Sequence, residues 1–150
     1  MPRHYPGDMA TLFTKIIDGD IPGQIVWSDD VCAAFLDTEP LTTGHVLVVP
    51  RAEVDHWVDL PADTLTHVMQ VAATIGRAQE SAFGAERVGV VIQGFEVPHA
   101  HVHVFPAGSA EDFDAARRAP REAAELAGDA RALRSALREQ GGGAAVPADD

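Results

Sequence analysis

The stretch His99-Ala100-His101-Val102-His103-Val104-Phe105-Pro106 places three imidazoles at strict alternation. As a strand it would put His99, His101 and His103 on one face, and Ala100, Val102 and Val104 on the other, toward a core. Three explanations fit such a row. The plainest is a solvated polar face. Metal binding is the second, because imidazole suits zinc, copper or nickel; against it, alternate positions on a strand lie roughly 7 Å apart and three-His zinc sites draw on more than one element. The third is nucleophilic and acid–base catalysis, since a neutral imidazole is a nucleophile at pH 7 and its neighbours can stabilise an anionic centre or pass a proton.

The elements that must hold this row are legible. Leu12, Phe13, Ile16 and Ile17 recur at helical spacing before Gly19, which predicts a short helix. Gln24 to Trp27 and Val31 to Leu36 form a predicted hairpin, and a polar loop from Asp37 delivers the chain through Gly44 into an apolar strand, His45 to Val49. Pro61 opens the longest helical pattern, with Leu65, Val68, Met69, Ala72, Ile75 and Phe83 on one face and Gly84 at its end. Two further strands are expected at Val88 to Gln93 and His99 to Phe105, the latter ended by Pro106. Strands and helices do not alternate regularly, so the fold class is α+β with an antiparallel sheet. The expected organisation is a flexible arm over 1–10, one domain over 11–106, a partly helical extension over 107–140 interrupted near Gly128, and a disordered tail over 141–150.

Composition narrows the partners. The chain has 150 residues, 46% hydrophobic, with a formal net charge of −12, and its summed field repels polyphosphate backbones, so nucleic-acid polymers are not expected. Through Pro106 there are five basic residues against fourteen acidic ones. Phosphate would have to be held there by imidazoles, some as imidazolium, by backbone donors and by helix ends. The single cysteine, Cys32, permits no internal disulfide, no apolar run is long enough to span a bilayer, and residues 1–10 lack the pattern of a signal peptide. A cytoplasmic, membrane-free protein is the expectation.

His99-x-His101-x-His103 with its apolar flanks resembles the motif of the histidine triad (HIT) family of nucleotide hydrolases and transferases. Leu12-Phe13-x-Lys15-Ile16-Ile17-x-Gly19-x-Ile21-Pro22 is similar to that family's opening helix, and Ala34-Phe35-Leu36-Asp37 with Pro40-x-x-x-Gly44-His45-Val46-Leu47-Val48-Val49-Pro50-Arg51 to its central hairpin. The resemblance runs from Leu12 to Pro106. It implies a HIT-like fold of about five antiparallel strands with one long and one short helix, needing no cofactor and joined into a homodimer. It also implies that His101 attacks the α-phosphorus of a nucleotide, its other ring nitrogen donating to a backbone carbonyl. His99, His103 and His45 would handle phosphate oxygens or the leaving group; Asp37 would grip the ribose diol; Leu12, Phe13, Ile16, Phe35 and Leu47 would sandwich a base, with a lean toward purine. The expected substrate is a nucleoside phosphoramidate or related nucleotide conjugate, with dinucleoside polyphosphates, or nucleotide binding without turnover, as alternatives.

Two departures matter. Thr11 and Thr14 stand where many relatives have a Cys-x-x-Cys pair that helps hold a structural zinc, and neutral hydroxyls are poor zinc ligands, so no metal is expected. The loop before the triad is Gln93-Gly94-Phe95-Glu96-Val97-Pro98, without the family's usual amide and hydroxyl. Glu96 is therefore either an acid–base partner of His103 or His99, or a solvated carboxylate, and Gln93 is a candidate phosphate-contacting amide.

Overall fold

The computed structural model describes residues 10–149. The arm expected over 1–10 lies, apart from Ala10, outside the described residues. Helix α1, Leu12–Ile17, begins at Thr11, whose hydroxyl accepts from the Thr14 N–H at 3.1 Å, a local alternative to helical bonding that favours such residues at N-caps. Strands β1 (Ile25–Ser28), β2 (Cys32–Leu36) and β3 (Val46–Pro50) follow, then a short 3-10 turn at Trp57–Asp59 and the long helix α2, Ala62–Phe83. Pro61 stands at the start of α2, and Gly84, with φ of 65°, ends it by returning its N–H to the Glu80 carbonyl at 2.9 Å. Strands β4 (Arg87–Val91) and β5 (Val102–Ala107) complete the sheet, and helix α3 spans Ala123–Glu139.

The sheet has five antiparallel strands in the order β1-β2-β3-β5-β4. Its alternation separates two apolar layers. Cys32, Ala34, Leu36, Val46, Val48, Val102 and Val104 pack with α2 and α3 into the main core, while Phe35, Leu47 and Val49 face the other way, against Phe13, Ile16 and Ile17 of α1. Register then fixes the site: Phe35, Leu47, His103 and Val91 are successive cross-strand partners, forming a row that carries the sheet's face from the hydrophobic layer under α1 to the imidazoles. The loop into β3 turns at Gly44, whose φ is +89° and where an added Cβ would collide with the Phe83 ring, so only glycine suits the position.

Several expectations shift. Strand β5 starts at Val102, not His99, because the backbone N–H of Ala100 is drawn to the Val54 carbonyl at 2.7 Å and that of His99 to Val97, which takes this segment off the ladder. Pro106 lies inside β5, its carbonyl accepting from the Thr42 hydroxyl at 2.6 Å. Strand β4 ends at Val91, leaving Gln93 in the following loop. Met69 is 37% exposed, over a groove it shares with Ala73, Gly76, Val88 and Val90, and Val71 takes the buried place instead.

The largest correction concerns the C-terminal third. Helix α3 runs without a break through Gly128, and Leu126, Ala130, Leu133 and Leu137 enter the main core beside α2, so the extension is an integral layer of the domain. Residues 141–149, expected to be disordered, take defined positions against the fold. Gly143–Ala145 form a 3-10 turn, Val146 packs on the core, and Asp149 and the Pro147 carbonyl receive Arg134 and Arg138. Arg134 is itself buried and donates to the Ile25 carbonyl, which locks α3 to β1.

Candidate active site

His101 is held by its own segment: Nδ1 lies 2.8 Å from the His99 carbonyl, and since a carbonyl only accepts, Nδ1 carries the proton. Its Nε2 therefore keeps the lone pair, and it has no hydrogen-bond partner among the described residues. Burial is the main force lowering the His101 pKa, opposed by that carbonyl and by the charges of Asp37 and Glu96, so the ring is a neutral base at neutral pH.

A second chain of tautomers fixes His45 and His103. The Leu41 backbone N–H donates to His45 Nδ1 at 2.9 Å, so His45 carries its proton on Nε2. That N–H lies 3.0 Å from His103 Nδ1, which must accept, leaving Nε2–H of His103 as the donor available to a ligand. Burial, helped by the charges of neighbouring His101 and Arg118, pushes the His103 pKa down to about 4. His45 is driven to about 3 by burial and by the charges of His103 and Arg118. The imidazolium groups expected to supply positive charge are thus absent at neutral pH: these rings are too dry to hold a proton.

His99 is turned inward. It is fully buried, its Nε2–H donating to the Pro50 carbonyl at 2.7 Å and its Nδ1 meeting the Thr11 hydroxyl at 2.6 Å. With both nitrogens occupied, it positions the carbonyl that orients His101. Glu96 pairs with neither His99 nor His103. It is exposed, and it reaches His101 through its charge alone.

Two cavities meet at His101. One, of about 190 Å³, is lined by Leu12, Phe13, Ile16, Phe35, Leu47, Asp37, Glu96 and His103, which brings the residues expected around a base together. The other, of about 430 Å³, is lined by Asp55, His56, Trp57, Gln93 and Phe95, the last 92% exposed. Gln93 thus borders the second cavity rather than the first. His67 lines neither and binds Asp29 at 2.7 Å.

Asp37 carries the surprise. It is buried, its Oδ1 accepts from the Glu39 N–H, and one terminal nitrogen of Arg118 spans both carboxylate oxygens at 3.1 and 2.9 Å. Burial raises the Asp37 pKa against these two stabilising contacts. Asp37 thus lines the apolar cavity with part of its acceptor capacity already engaged by Glu39 and Arg118. Arg118 escapes a reading of the sequence because it lies 81 residues downstream, outside every motif. The available signal is the placement of six of the chain's eleven basic residues beyond Pro106.

The HIT domain model matches residues 18–109. The chain belongs to the HIT family. It is 32% identical over 143 residues to an uncharacterized HIT-like protein of Mycobacterium tuberculosis, covering 88% of this chain and 96% of that one. It is 31% identical over 100 residues to the adenosine 5'-monophosphoramidase of Saccharomyces cerevisiae, covering 66% and 63% respectively. Among solved structures, a Zn-bound histidine triad family protein from Mycobacterium smegmatis superposes with a TM-score of 0.77 at 26% identity, covering 90% of this chain and 98% of that one.

The residues of this HIT protein do not fit a structural zinc at the Thr11–Thr14 position. The Thr11 hydroxyl and the Pro50 carbonyl take both nitrogens of His99, the Thr11 N–H donates to Glu53 at 2.8 Å, and Thr14 offers only a second hydroxyl, 3.3 Å from the first. Hydrogen bonds join α1 to the triad there. Two other groups bring potential ligand atoms within 4.8 Å of one another: Asp29, Cys32 and His67, and Asp37, His45 and His103. In the first, Asp29 is bonded to Trp27, Val31, Cys32 and His67, and burial pushes the Cys32 thiol up to about 12. In the second, the imidazoles bond each other and Arg118 balances the carboxylate. Among the described residues, no helix is long and apolar enough to cross a membrane.

Proposed function

We propose that this HIT protein is a cytoplasmic nucleotide hydrolase or transferase that cleaves nucleoside phosphoramidates or related conjugates through a nucleotidyl intermediate on His101. The observation that carries this reading is the unpaired Nε2 of a neutral His101 at the junction of two cavities. In-line displacement needs the nucleophile between the group that stays and the group that leaves. The apolar cavity under α1 would take the base, preferentially a flat purine between Phe13, Phe35 and Leu47, and the larger cavity would take the leaving group.

In the first step the Nε2 lone pair forms a bond to the α-phosphorus while the P–N bond breaks, the leaving nitrogen keeping the bonding pair and taking one proton from solvent to depart as the amine. In the second, water attacks the phosphorus, Nε2 recovers its lone pair, and a nucleoside monophosphate and a proton are released. His103 Nε2–H would donate to a phosphoryl oxygen throughout, and His45, fixed by the Leu41 N–H, would hold His103 in that tautomer. The name of the yeast relative supports the amine as leaving group.

The test is turnover of an adenosine phosphoramidate, an adenylate ester and a diadenosine polyphosphate, each with and without chelator. Release of AMP from the phosphoramidate, unaffected by chelator, is expected; preference for the diadenosine compound would move the protein to the alternative branch. Binding of AMP without turnover of any substrate would make it a nucleotide-binding module.

The reading includes a homodimer formed by joining two sheets. Strand β4 is an edge of the sheet, with Val90 44% exposed beside exposed Met69 of α2. Sedimentation should give twice the 15.9 kDa chain mass, and Val90→Arg should reduce it to the single mass. A wild-type monomer at micromolar concentration would overturn this part.

A further inference from the structure

We propose that Arg118, delivered by the segment after β5, is the residue that binds the nucleotide's phosphate, with Asp37 serving as its anchor. The inference rests on the proposed function and deepens it by naming the cation of the site.

Electrostatic need comes first. With His45, His101 and His103 held neutral by burial, a phosphate entering beside His101 meets no positive charge from these three rings. Arg118 lines the same cavity as His101 and His103, and it is the cation whose charge reaches all three rings of the site.

Geometry comes second. A guanidinium gripping a carboxylate with its full fork would use two nitrogens, but here a single terminal nitrogen contacts both Asp37 oxygens. The remaining two nitrogens of Arg118 make no hydrogen bond among the described residues, and its side chain is 28% exposed. A cation fixed at one nitrogen and open at two is a ready donor to phosphate oxygens.

Rigidity comes third, because a phosphate clamp on a loose segment would lose the advantage of position. The segment carrying Arg118 is tied at several points. Phe113 packs edge-on against Phe105 with centroids 4.8 Å apart, Asp114 caps the turn Ala115–Arg117, and the Arg118 N–H returns to Ala115. The Arg121 N–H then donates to the Thr38 carbonyl, one residue beyond Asp37.

The experiment compares calorimetric binding of AMP and adenosine, with phosphoramidate turnover measured in parallel, for wild type, Arg118→Gln, Arg118→Lys and the double variant Asp37→Asn/Arg118→Gln. The double variant removes the stranded buried carboxylate that could unfold Arg118→Gln. The expected result is about a hundredfold loss of AMP affinity and of kcat/KM in Arg118→Gln and in the double variant. Adenosine affinity should stay within about threefold, Arg118→Lys should fall between, and millimolar methylguanidinium should partly restore turnover of Arg118→Gln. Equal losses for AMP and adenosine, or AMP binding unchanged or tightened, would overturn the assignment. Wild type that binds AMP in an Arg118-dependent way without turning over any substrate would refute the proposed hydrolysis while leaving the phosphate assignment standing.

Discussion

His101→Asn should retain the fold and lose at least about a thousandfold in turnover, leaving what binding and the surrounding donors supply. The size follows from the geometry. Asparagine can still place an N–H toward the His99 carbonyl, but it brings no lone-pair nitrogen to the point where the two cavities meet. His101 lies on a segment pinned by the Ala100 and His99 backbone bonds, which the substitution does not touch, so thermal unfolding should move by only a few degrees. Wild type incubated with a phosphoramidate labelled on phosphorus and quenched in alkali should carry label, and the variant none. The wild-type kcat/KM should hold steady as pH falls through 6.5, because burial keeps the His101 ring unprotonated below its usual range. Label retained in the variant, or an acidic limb already complete at pH 7, would refute the nucleophile assignment.

The second large effect is on stability in mild acid. His45 and His103 titrate near pH 6.5 when unfolded but are held down to about 3 and about 4 in the fold. Below pH 6.5 the unfolded chain therefore binds protons that the native state refuses, and stability falls as the pH drops toward the folded values. At about 1.4 kcal/mol per pH unit for each group, these two account for about 4 kcal/mol between pH 7.5 and pH 5. That is a large part of a typical domain's margin. Asp29 acts in a lower window. Burial alone would raise its pKa, but hydrogen bonds from Trp27, Cys32, His67 and Val31 outweigh it and bring it to about 2, so its contribution is lost only below about pH 4. Urea unfolding at pH 7.5 and 5.0 should show the drop, and His45→Gln should reduce it. Identical midpoints at the two pH values would contradict the buried neutral pair.

The elements nearest the chemistry are the most legible from sequence. Alternation in Val46–Pro50 and around His101–His103 follows from the period of a strand, and Pro61 and Gly84 mark α2 because each suits one end of a helix. What escapes depends on contacts distant in sequence. The role of His99 is set by the hydroxyl of Thr11, 88 residues away, and that of Asp37 by Arg118; no local pattern encodes either meeting. Helix α3 shows its apolar stripe, yet nothing in the stripe says that it completes the main core. The charge of the triad escapes for a related reason: histidine count predicts how many protons could be held, whereas burial decides how many are.

The hydroxyl clamp between Thr11 and His99 has a consequence for the protein's dependence on its surroundings. A helix fastened to the triad segment by thiolates and zinc would loosen under oxidants or metal starvation, but here the fastening is an alcohol bonded to an imidazole. The chain's one thiol, Cys32, is buried, and burial pushes its pKa up to about 12, which keeps it in the thiol form that oxidants attack poorly. The fastening of α1 to His99 is thus made without a thiol and without a Cys-x-x-Cys ligand pair.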